Sequence, residues 1–600
     1  MATAHPTIPS RNEVDARFTW DLSRLYPDDT AWEAGLKELD AGIPRIESFK
    51  GTLGRSAKAL RECLDYMMEI GKLDERLGHY AHLRMSEDAG NSANQDRFAR
   101  YVAAATRAET IASYQTPEIQ AIPQATMEGY LSSTELEGYG IYLRKILRFK
   151  PHVLSEQEER LLAMQAESNQ TASKTFAALT DVDMEFGEIE TPEGPKPLSQ
   201  STFSSFLIDP DREVRKSAYF QFYAGFDKHR NTLASLYSGS VQLDIYRAKA
   251  RNYPSARAGA LFPDDVPEAV YDNLVATVSN NLRPLHAYYD LRRKLLGVDV
   301  LRHYDVYVPL IKDISVHHTY EEAVELVIPA LAPLGDEYCT VLKKGLLGGW
   351  VDRYENKGKR SGAFSAGSYV GDPYILMNYK SDVLRDVFTL AHEGGHSMHS
   401  YFSAAANPFQ HYSYTIFEAE VASTLNEQLL ALHLIGNAES REMKAYLVGK
   451  QVDDIIATVY RQTMFAEFEH LAHSTVERGG ALTVDSLRAM YRGLLDKYFG
   501  GRVTLEEVSD LEGLRIPHFY RGFYVYKYAT GLSAAIALAG RILDGGAKER
   551  EAYLAFLHSG GSRYPLESLR LAGVDMASPQ PVERALESFT RLVGELEALI

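Results

Sequence analysis

The stretch SDVLRDVFTLAHEGGHSMHSYF, residues 381–402, decides how the fold and the chemistry of this chain are interpreted. Ser381 can accept the first free amides of a helix, as serine often does at helix starts. The apolar residues that follow recur at helical spacing and indicate one buried face: Val383, Val387, Leu390 and Ala391. The sequence therefore predicts a half-buried helix that carries HEGGH at residues 392–396.

The HEGGH pattern predicts a zinc site. His392 and His396 lie one turn apart on one helical face, so both imidazoles can bind one Zn²⁺. Glu393 leans toward the open coordination position, where a bound water has its pKa lowered toward about 7. We expect Glu393 to act as the general base that takes a proton from this water. The alternative is an exposed helical histidine pair beside an acid, with no metal.

Two other histidine groups do not fit this site. His399 follows three residues after His396 and falls on a flanking face, so we expect it to pack or to form a hydrogen bond. The doublet His317-His318 has no acids at ligand spacing and is predicted to lie at the surface. Neither is predicted to bind the metal.

A catalytic zinc needs a third protein ligand and one open position. Residues 416–430, IFEAEVASTLNEQLL, predict a second helix with three candidate carboxylates: Glu418, Glu420 and Glu427. Acids on the solvent side of a helix need no function. Spacing alone therefore leaves all three candidates open.

Helical periodicity dominates the rest of the chain. Residues 60–80 and 586–600 each carry one apolar stripe, whereas strand patterns are confined to Val182–Phe186 and Tyr374–Tyr379. Residues 345–371 are rich in Gly and Ser and predict a loop. The one visible change of composition lies near residues 187–201. We therefore expect an N-terminal helical domain over residues 1–200 and a catalytic domain over residues 201–600.

Composition excludes several classes of protein. The net charge of −17 argues against nucleic-acid binding, which needs clustered Lys and Arg. No apolar run approaches the roughly 18 residues of a membrane span, and the N-terminus lacks the apolar core of a signal peptide. Two cysteines, Cys63 and Cys339, support neither a disulfide framework nor a cysteine-based zinc site. We expect a soluble cytoplasmic protein with no membrane partner.

Several longer motifs resemble those of oligoendopeptidase F, in the thimet oligopeptidase superfamily of HExxH zinc peptidases. The likeness runs over nearly the whole chain. It is carried by FTWDLSRLYPDDTAWEA from Phe18, ALFPDDVPEAVYDNL from Ala260, GKRSGAFSAGSY from Gly358 and IPHFYRGFYVYKYATG from Ile516. Agreement on all of these motifs, together with the extended HExxH helix, is too specific to arise by chance.

The resemblance implies roles that spacing leaves open for the three acids. The third zinc ligand of the family lies in an E-x-x-S context, which falls on Glu420. Glu427, two turns later, then becomes a candidate for orienting a histidine ligand. Glu418 precedes the motif, and we expect it to be solvated.

The resemblance also implies that His518 and a tyrosine bind substrate and stabilise the developing oxyanion. Tyr526 is the preferred tyrosine because it falls off the stripe formed by Tyr520, Tyr524 and Tyr528. Tyr524 is held in reserve. The alternative for the stripe is ordinary core packing.

The fold that the resemblance implies is mostly α: a two-part helical peptidase fold with a small β-sheet beside the zinc and a deep substrate channel. Tyr374–Tyr379, YILMNY, resembles an active-site edge strand that would bind a peptide by strand addition. One departure from the family pattern is the first glycine of HEGGH. The two glycines cost the helix roughly 1 kcal/mol each relative to alanine, and close packing against another backbone would explain them.

The sequence thus predicts a zinc-dependent endopeptidase that hydrolyses short oligopeptides with one Zn²⁺, a zinc-activated water and a glutamate base. Two alternatives stay open. One is a zinc carboxypeptidase or dipeptidase on a related helical fold, although no local motif identifies a cation for the terminal carboxylate. The other is a catalytically dead helical peptide-binding protein.

Overall fold

The structure, a computed structural model, describes residues 8–311, 314 and 316–600. Helices make up most of this part of the chain, and strands are few and short. The helices as far as residue 295 are α1 (Asp29–Ser48), α2 (Ala57–Glu87), α3 (Ser92–Ala112), α4 (Gln115–Ala121), α5 (Gln124–Leu131), α6 (Gly140–Leu147), α7 (Glu156–Met164), α8 (Thr171–Ala178), α9 (Phe203–Leu207), α10 (Arg212–Lys228), α11 (Arg230–Ala250), α12 (Ala256–Leu261), α13 (Glu268–Asn280) and α14 (Arg283–Leu295).

The remaining helices are α15 (Tyr320–Ala330), α16 (Asp336–Leu347), α17 (Leu384–Ala406), α18 (Phe409–Tyr412), α19 (Ile416–Gly436), α20 (Arg441–Ile455), α21 (Arg461–Glu477), α22 (Val484–Phe499), α23 (Tyr526–Gly545), α24 (Ala547–Ser559), α25 (Pro565–Leu571) and α26 (Gln580–Leu599). The strands are β1 (Glu188–Thr191), β2 (Gly194–Pro197), β3 (Val351–Asp352), β4 (Phe364–Ala366) and β5 (Tyr374–Leu376). The mostly helical fold class with small sheets is confirmed.

The described chain packs into two compact units, each made of three separate stretches. Unit 1 is drawn from Met1–Lys150, Ser315–His433 and Leu538–Val574, and unit 2 from Pro151–Ile314, Leu434–Ala537 and Asp575–Ile600. The predicted boundary near residue 200 falls inside the first stretch of unit 2. The functional division into residues 1–200 and 201–600, and the channel between two parts, stay predictions.

The long helices of unit 1 form because their apolar stripes have a common core to cover. Asp28 and Ser56 cap α1 and α2 by accepting amides of the first turn. The predicted stripe of α2 is buried at four positions: Leu60, Leu64, Leu77 and Tyr80. The aromatic and aliphatic core that these helices share with the sheet includes Trp20, Leu25, Trp32, Leu77 and Tyr374.

A three-stranded sheet in unit 1 has the order β3-β5-β4. β5 runs parallel to β3 and antiparallel to β4, with Ser365 opposite Ile375. The prediction that Tyr374–Tyr379 is an edge strand is therefore wrong, because β5 has a neighbour on both sides and all its residues are fully buried. Among the described strands of this sheet, β4 is the edge that lies within the GKRSGAFSAGSY motif.

The start of α17 also differs from the prediction. The helix begins at Leu384, and neither Ser381 nor Val383 caps it through a side chain. Asp386 instead accepts the Lys380 amide at 2.7 Å, while the Ser381 carbonyl accepts the His318 amide at 2.7 Å. Ser381 is thus held by a neighbouring segment that the local sequence pattern does not reveal.

In unit 2, the turn-rich residues 191–197 form the predicted hairpin, β1 paired with β2. The strand predicted at Val182–Phe186 is wrong, because residues 179–183 form a π-helical turn that leaves Val182 75% exposed. Helix α26 buries its predicted stripe at Leu586, Phe589, Val593 and Leu596.

Within the described ranges, no helix combines the length and the apolar composition needed to cross a bilayer. The cytoplasmic location stays a prediction.

Candidate active site

Helices α17 and α19 of unit 1 approach each other closely at Gly395. A Cβ at this position would lie 2.6 Å from the Ala422 carbonyl oxygen and 2.7 Å from Ser423 Cα. At Gly394, by contrast, the nearest atom would be Leu342 Cδ1 at 3.2 Å. Backbone-to-backbone packing therefore accounts for Gly395, and it brings the HEGGH turn against the middle of α19.

This packing gathers three donor side chains: His392, His396 and Glu420. One ligand atom from each residue lies within 4.8 Å of the others. Glu420 oxygens are 3.8 Å from His392 Nε2 and 4.0 Å from His396 Nε2. Two imidazoles and one carboxylate are a donor set typical of catalytic zinc, so these residues fit that metal.

Glu427 lies one layer behind this group, also on α19. Its Oε1 accepts a hydrogen bond from His392 Nδ1 at 2.5 Å, which is the contact that the resemblance predicts. Burial tends to lower the pKa of His392, but this hydrogen bond and the nearby carboxylates raise it to about 9. Burial and the neighbouring His392 lower the pKa of His396 to about 3. The two histidines therefore carry different charges at neutral pH in the metal-free protein.

Glu393 is only 7% exposed. Burial raises the pKa of its carboxyl to about 7, against the opposing effects of His392 and of a hydrogen bond from the Ser365 backbone amide. A carboxyl that titrates near neutral pH is suited to both accepting and returning a proton.

Strand β4 lies beside this helix. The Ser365 hydroxyl is 2.8 Å from that of Ser397 on α17. The Ile375 amide donates to Trp350 in the direction of β3, so Ile375 is not hydrogen-bonded to its β4 partner, Ser365. The backbone N–H and C=O of Ser365 therefore point to the outer edge of the sheet, on the side of Glu393.

Glu418 does not behave as predicted. It is 1% exposed and accepts hydrogen bonds from the backbone and hydroxyl of Thr415 at the start of α19. Burial raises the pKa of Glu418 to about 7. The expectation of a solvated side chain is wrong, because unit 1 encloses the first turn of this helix.

His399 is 1% exposed, and its ring stacks on Tyr414 with centroids 3.6 Å apart. Its predicted packing role is confirmed. His317 is exposed and His318 is half-buried.

The remaining predicted site residues, His518 and Tyr526, belong to unit 2. The exposed His518 ring is 6.1 Å from Tyr528, which is 5.4 Å from Tyr524; both tyrosines are half-buried. Tyr526 is 0% exposed, and its ring lies 5.3 Å from Tyr271. His518 is thus grouped with Tyr524 and Tyr528 of the aromatic stripe, and Tyr526 is not part of this exposed cluster.

Sequence reasoning missed two candidates. Spacing places Tyr528 in the stripe, whereas its contact with His518 follows from a 3₁₀ turn at Pro517–Tyr520 that no periodicity indicates. Ser365 lies in the GKRSGAFSAGSY motif, whose specificity is the one available signal that this segment is more than a loop.

Comparisons with known proteins identify the family of the chain. Residues 205–588 match the model of peptidase family M3, and residues 118–186 match that of oligopeptidase F. The chain is 42% identical to the oligopeptidase PepF of Bacillus subtilis (strain 168), over 99% of this chain and 89% of that protein.

Two crystal structures extend the likeness to the fold. A chain from Chlamydophila abortus superposes with a TM-score of 0.94 at 36% identity, covering 99% of this chain and 100% of the other. Oligoendopeptidase-F from Enterococcus faecium superposes with a TM-score of 0.72 at 34% identity, covering 95% of this chain and 99% of the other. The chain therefore belongs to peptidase family M3, among its oligoendopeptidase F members, and is a peptidase that hydrolyses oligopeptides.

Proposed function

We propose that this peptidase is a zinc-dependent endopeptidase that cuts short peptides away from their ends. The observation that carries the proposal is the arrangement on α17 and α19: three donor side chains converge, and a buried carboxyl with a pKa of about 7 stands next to the first of them. A peptide-binding protein without activity would need neither the three donor side chains nor the buried carboxyl beside them.

His392, His396 and Glu420 would hold one Zn²⁺, with Glu427 fixing the ring of His392. When bound, zinc supplies Lewis acidity that polarises a peptide carbonyl and lowers the pKa of a water toward about 7. The hydrogen bond at Nδ1 leaves Nε2 of His392 available as a ligand.

Glu393 would serve as the general base and then as the general acid. Its carboxylate takes a proton from the attacking water and returns it to the nitrogen of the departing amine. Burial supports both steps, because it keeps the carboxyl close to half-ionised near neutral pH. The Ser365 amide, which donates to this carboxylate, would hold it in one orientation.

Peptide substrates would align on the outer edge of β4. The outward C=O of Ser365 offers an acceptor for an amide of an added strand, while the Ser365 N–H donates to Glu393. Recognition through the backbone favours broad side-chain specificity, which suits a peptidase of oligopeptides.

His518 and a tyrosine would donate hydrogen bonds to the carbonyl oxygen of the substrate as it gains charge. The spacing of the segment favours Tyr526, which falls off the aromatic stripe, with Tyr524 as the alternative. The partial exposure of Tyr524 and its place in the His518 cluster support Tyr524 instead. Comparing Y524F with Y526F separates the two, because the oxyanion donor loses kcat with little change in KM.

The test is digestion of a ladder of peptides blocked at both ends, with products identified by mass. We expect internal cleavage of peptides near ten residues, loss of turnover with a chelator and recovery with Zn²⁺. Failure on every end-blocked peptide, with cleavage of free-ended ones, would support the carboxypeptidase or dipeptidase alternative. Binding without turnover of any peptide in the zinc-loaded protein would support a dead peptide-binding protein.

A further inference from the structure

The turn between His518 and α23, in unit 2, has an unusual backbone. Phe523 adopts φ of +57°, and only two other described non-glycine residues share a positive φ. An aromatic residue in this region is strained and persists only where its surroundings hold it. Phe523 is also 3% exposed, so the turn is fixed from inside the unit.

Glu469 of α21 supplies one of the restraints. Its Oε1 accepts the Phe523 amide at 3.1 Å. The side chain is 0% exposed, and its Oε2 has no hydrogen-bond partner within the described part of the chain. Burial of a carboxyl group costs free energy unless a hydrogen bond compensates for the loss of water. Here the compensating hydrogen bond comes from the amide of the strained Phe523, a contact that an apolar side chain could not make.

Asp244 and His473 supply the second restraint. His473 Nε2 lies 3.3 Å from Asp244 Oδ2, and its ring is 4.5 Å from the Phe523 ring. A Cβ at Gly522 would come within 2.6 Å of Asp244 Oδ2, so the backbone of the turn rests directly on this pair. His473 Nδ1 lies 2.8 Å from the Glu469 carbonyl oxygen, which joins both restraints on α21.

The turn is connected to the aromatic cluster at both ends. The Arg521 amide donates to the His518 carbonyl at 2.9 Å, and the Arg521 guanidinium lies 4.1 Å from the ring centroid of Tyr524. Tyr524 in turn contacts Tyr528. A change in the backbone at Gly522 and Phe523 would therefore move His518 and Tyr524 relative to each other.

We propose that Glu469, with Asp244 and His473, is a positioning residue that locks the strained turn at Phe523 and so fixes His518 and Tyr524 for donating to the substrate carbonyl oxygen as it gains charge. This inference rests on the proposed role of His518 and its tyrosine. Burial raises the pKa of the Glu469 carboxyl well above its usual value, which favours the neutral form. A neutral carboxyl accepts the Phe523 amide through its carbonyl oxygen, as glutamine would.

The first test compares E469Q with E469A in the full-length zinc-loaded enzyme. E469Q keeps an acceptor for the Phe523 amide and should retain kcat/KM within about threefold, whereas E469A should lose about tenfold or more, since small displacements of binding groups have large effects. The loss should appear mainly in kcat, as for the oxyanion donors themselves, with zinc content unchanged. The matched control is E467A on the same helix, which removes the ion pair to Lys497 but leaves the turn alone.

A second pair of variants tests the strain directly. F523A keeps a side chain at positive φ but removes the ring that packs on His473, whereas F523G removes the ring and the strain together. F523G should keep several-fold more kcat/KM than F523A. If E469A does not fold, this pair, which leaves Glu469 in place, carries the test.

The possible results separate this inference from the proposed function. Equal kcat for E469A and the parent, or equal losses in E469A and E467A, would overturn the positioning role while leaving the endopeptidase intact. Equal activity of F523G and F523A would also overturn it. Absence of turnover in the zinc-loaded parent would instead contradict the proposed function itself.

Discussion

His392 Nδ1 and Glu427 Oε1 lie 2.5 Å apart and join α17 to α19 through the candidate metal group. The carboxylate holds the proton on Nδ1, which leaves Nε2 directed toward Glu420 at 3.8 Å. The same carboxylate raises the pKa of His392 to about 9, against burial, whereas His396 has a pKa of about 3. The metal-free site thus has one charged and one neutral imidazole.

This asymmetry predicts that metal binding releases a proton. At pH 8 His392 is largely protonated, Glu393 is largely ionised and His396 is neutral. A ligand imidazole must be neutral, so Zn²⁺ should displace the proton of His392, and zinc affinity should rise with pH up to about 9. Calorimetry in buffers of different ionisation enthalpy measures this release. E427Q, which removes the charge on the partner, should release much less, and an equal release in E427Q would contradict the assignment.

The contact at Gly395 predicts opposite outcomes for two neighbouring substitutions. Gly395→Ala would push against the backbone of α19, so we expect a loss of about 1–3 kcal/mol in the free energy of unfolding, together with weaker zinc binding. Gly394→Ala meets only the end of the Leu342 side chain and gains roughly 1 kcal/mol of helix propensity. Denaturant unfolding and metal analysis of both variants check this, and equal effects would mean that the helices do not cross here.

These contacts show which parts of the site local sequence patterns can predict. His392, Glu393 and His396 lie within one turn of one helix, so their shared face follows from spacing alone. Glu420 could not be chosen from spacing, because any of three acids on α19 could reach the site. The resemblance selected it, and the structure brings its carboxylate beside both imidazoles.

The wrong predictions share a physical cause, which is contact between distant segments. The Ser381 carbonyl accepts the His318 amide, so a distant segment holds the chain before α17, and Glu418 is buried because the fold covers the first turn of α19. The strand order β3-β5-β4 places Tyr374 in the central strand, whereas the sequence predicts an edge strand. The positive φ of Phe523 and the hydrogen bond that its amide donates to Glu469 leave no periodic signal in the sequence.

Glu420 and Glu418 should separate metal binding from stability. E420A removes one of three donors and should greatly lower zinc content. Glu418 has a folded-state pKa of about 7, raised above its ordinary 4.5 by burial, so its stabilising effect is complete below pH 4.5 and is lost as pH rises through 7.

E418Q, which keeps the shape of the side chain without the charge, should therefore be more stable than the parent at pH 8 and should bind zinc normally. Thermal unfolding at pH 5 and pH 8, with metal analysis, checks both statements. Loss of zinc in E418Q with normal zinc in E420A would exchange the two roles.

Glu393→Gln should keep zinc and lose activity. The substitution leaves all three donors in place and removes only the proton acceptor, so kcat should fall by about 10² to 10⁴. Metal content measured on the same preparation is the control. Activity within a few-fold of the parent would show that another group is the base.

The last prediction concerns the edge of β4, where the backbone N–H and C=O of Ser365 point away from β5. A peptide added here as a further strand would donate one of its own amides to the Ser365 carbonyl. Methylation of that one amide removes the donor and crowds the strand, so kcat/KM should fall about tenfold or more, since a hydrogen bond contributes about 1 kcal/mol and the methyl group adds a clash.

The measurement is a scan of end-blocked peptides of one sequence, each carrying a single N-methyl group at a different position near the cut. Strand pairing engages alternate residues, because successive backbone groups point to opposite edges. The loss of kcat/KM should therefore alternate between large and small as the N-methyl group moves along the peptide. Changing a side chain should have less effect than moving the N-methyl group by one residue. A uniform small loss at every position would mean that the substrate does not pair with β4 and that its side chains determine where it binds.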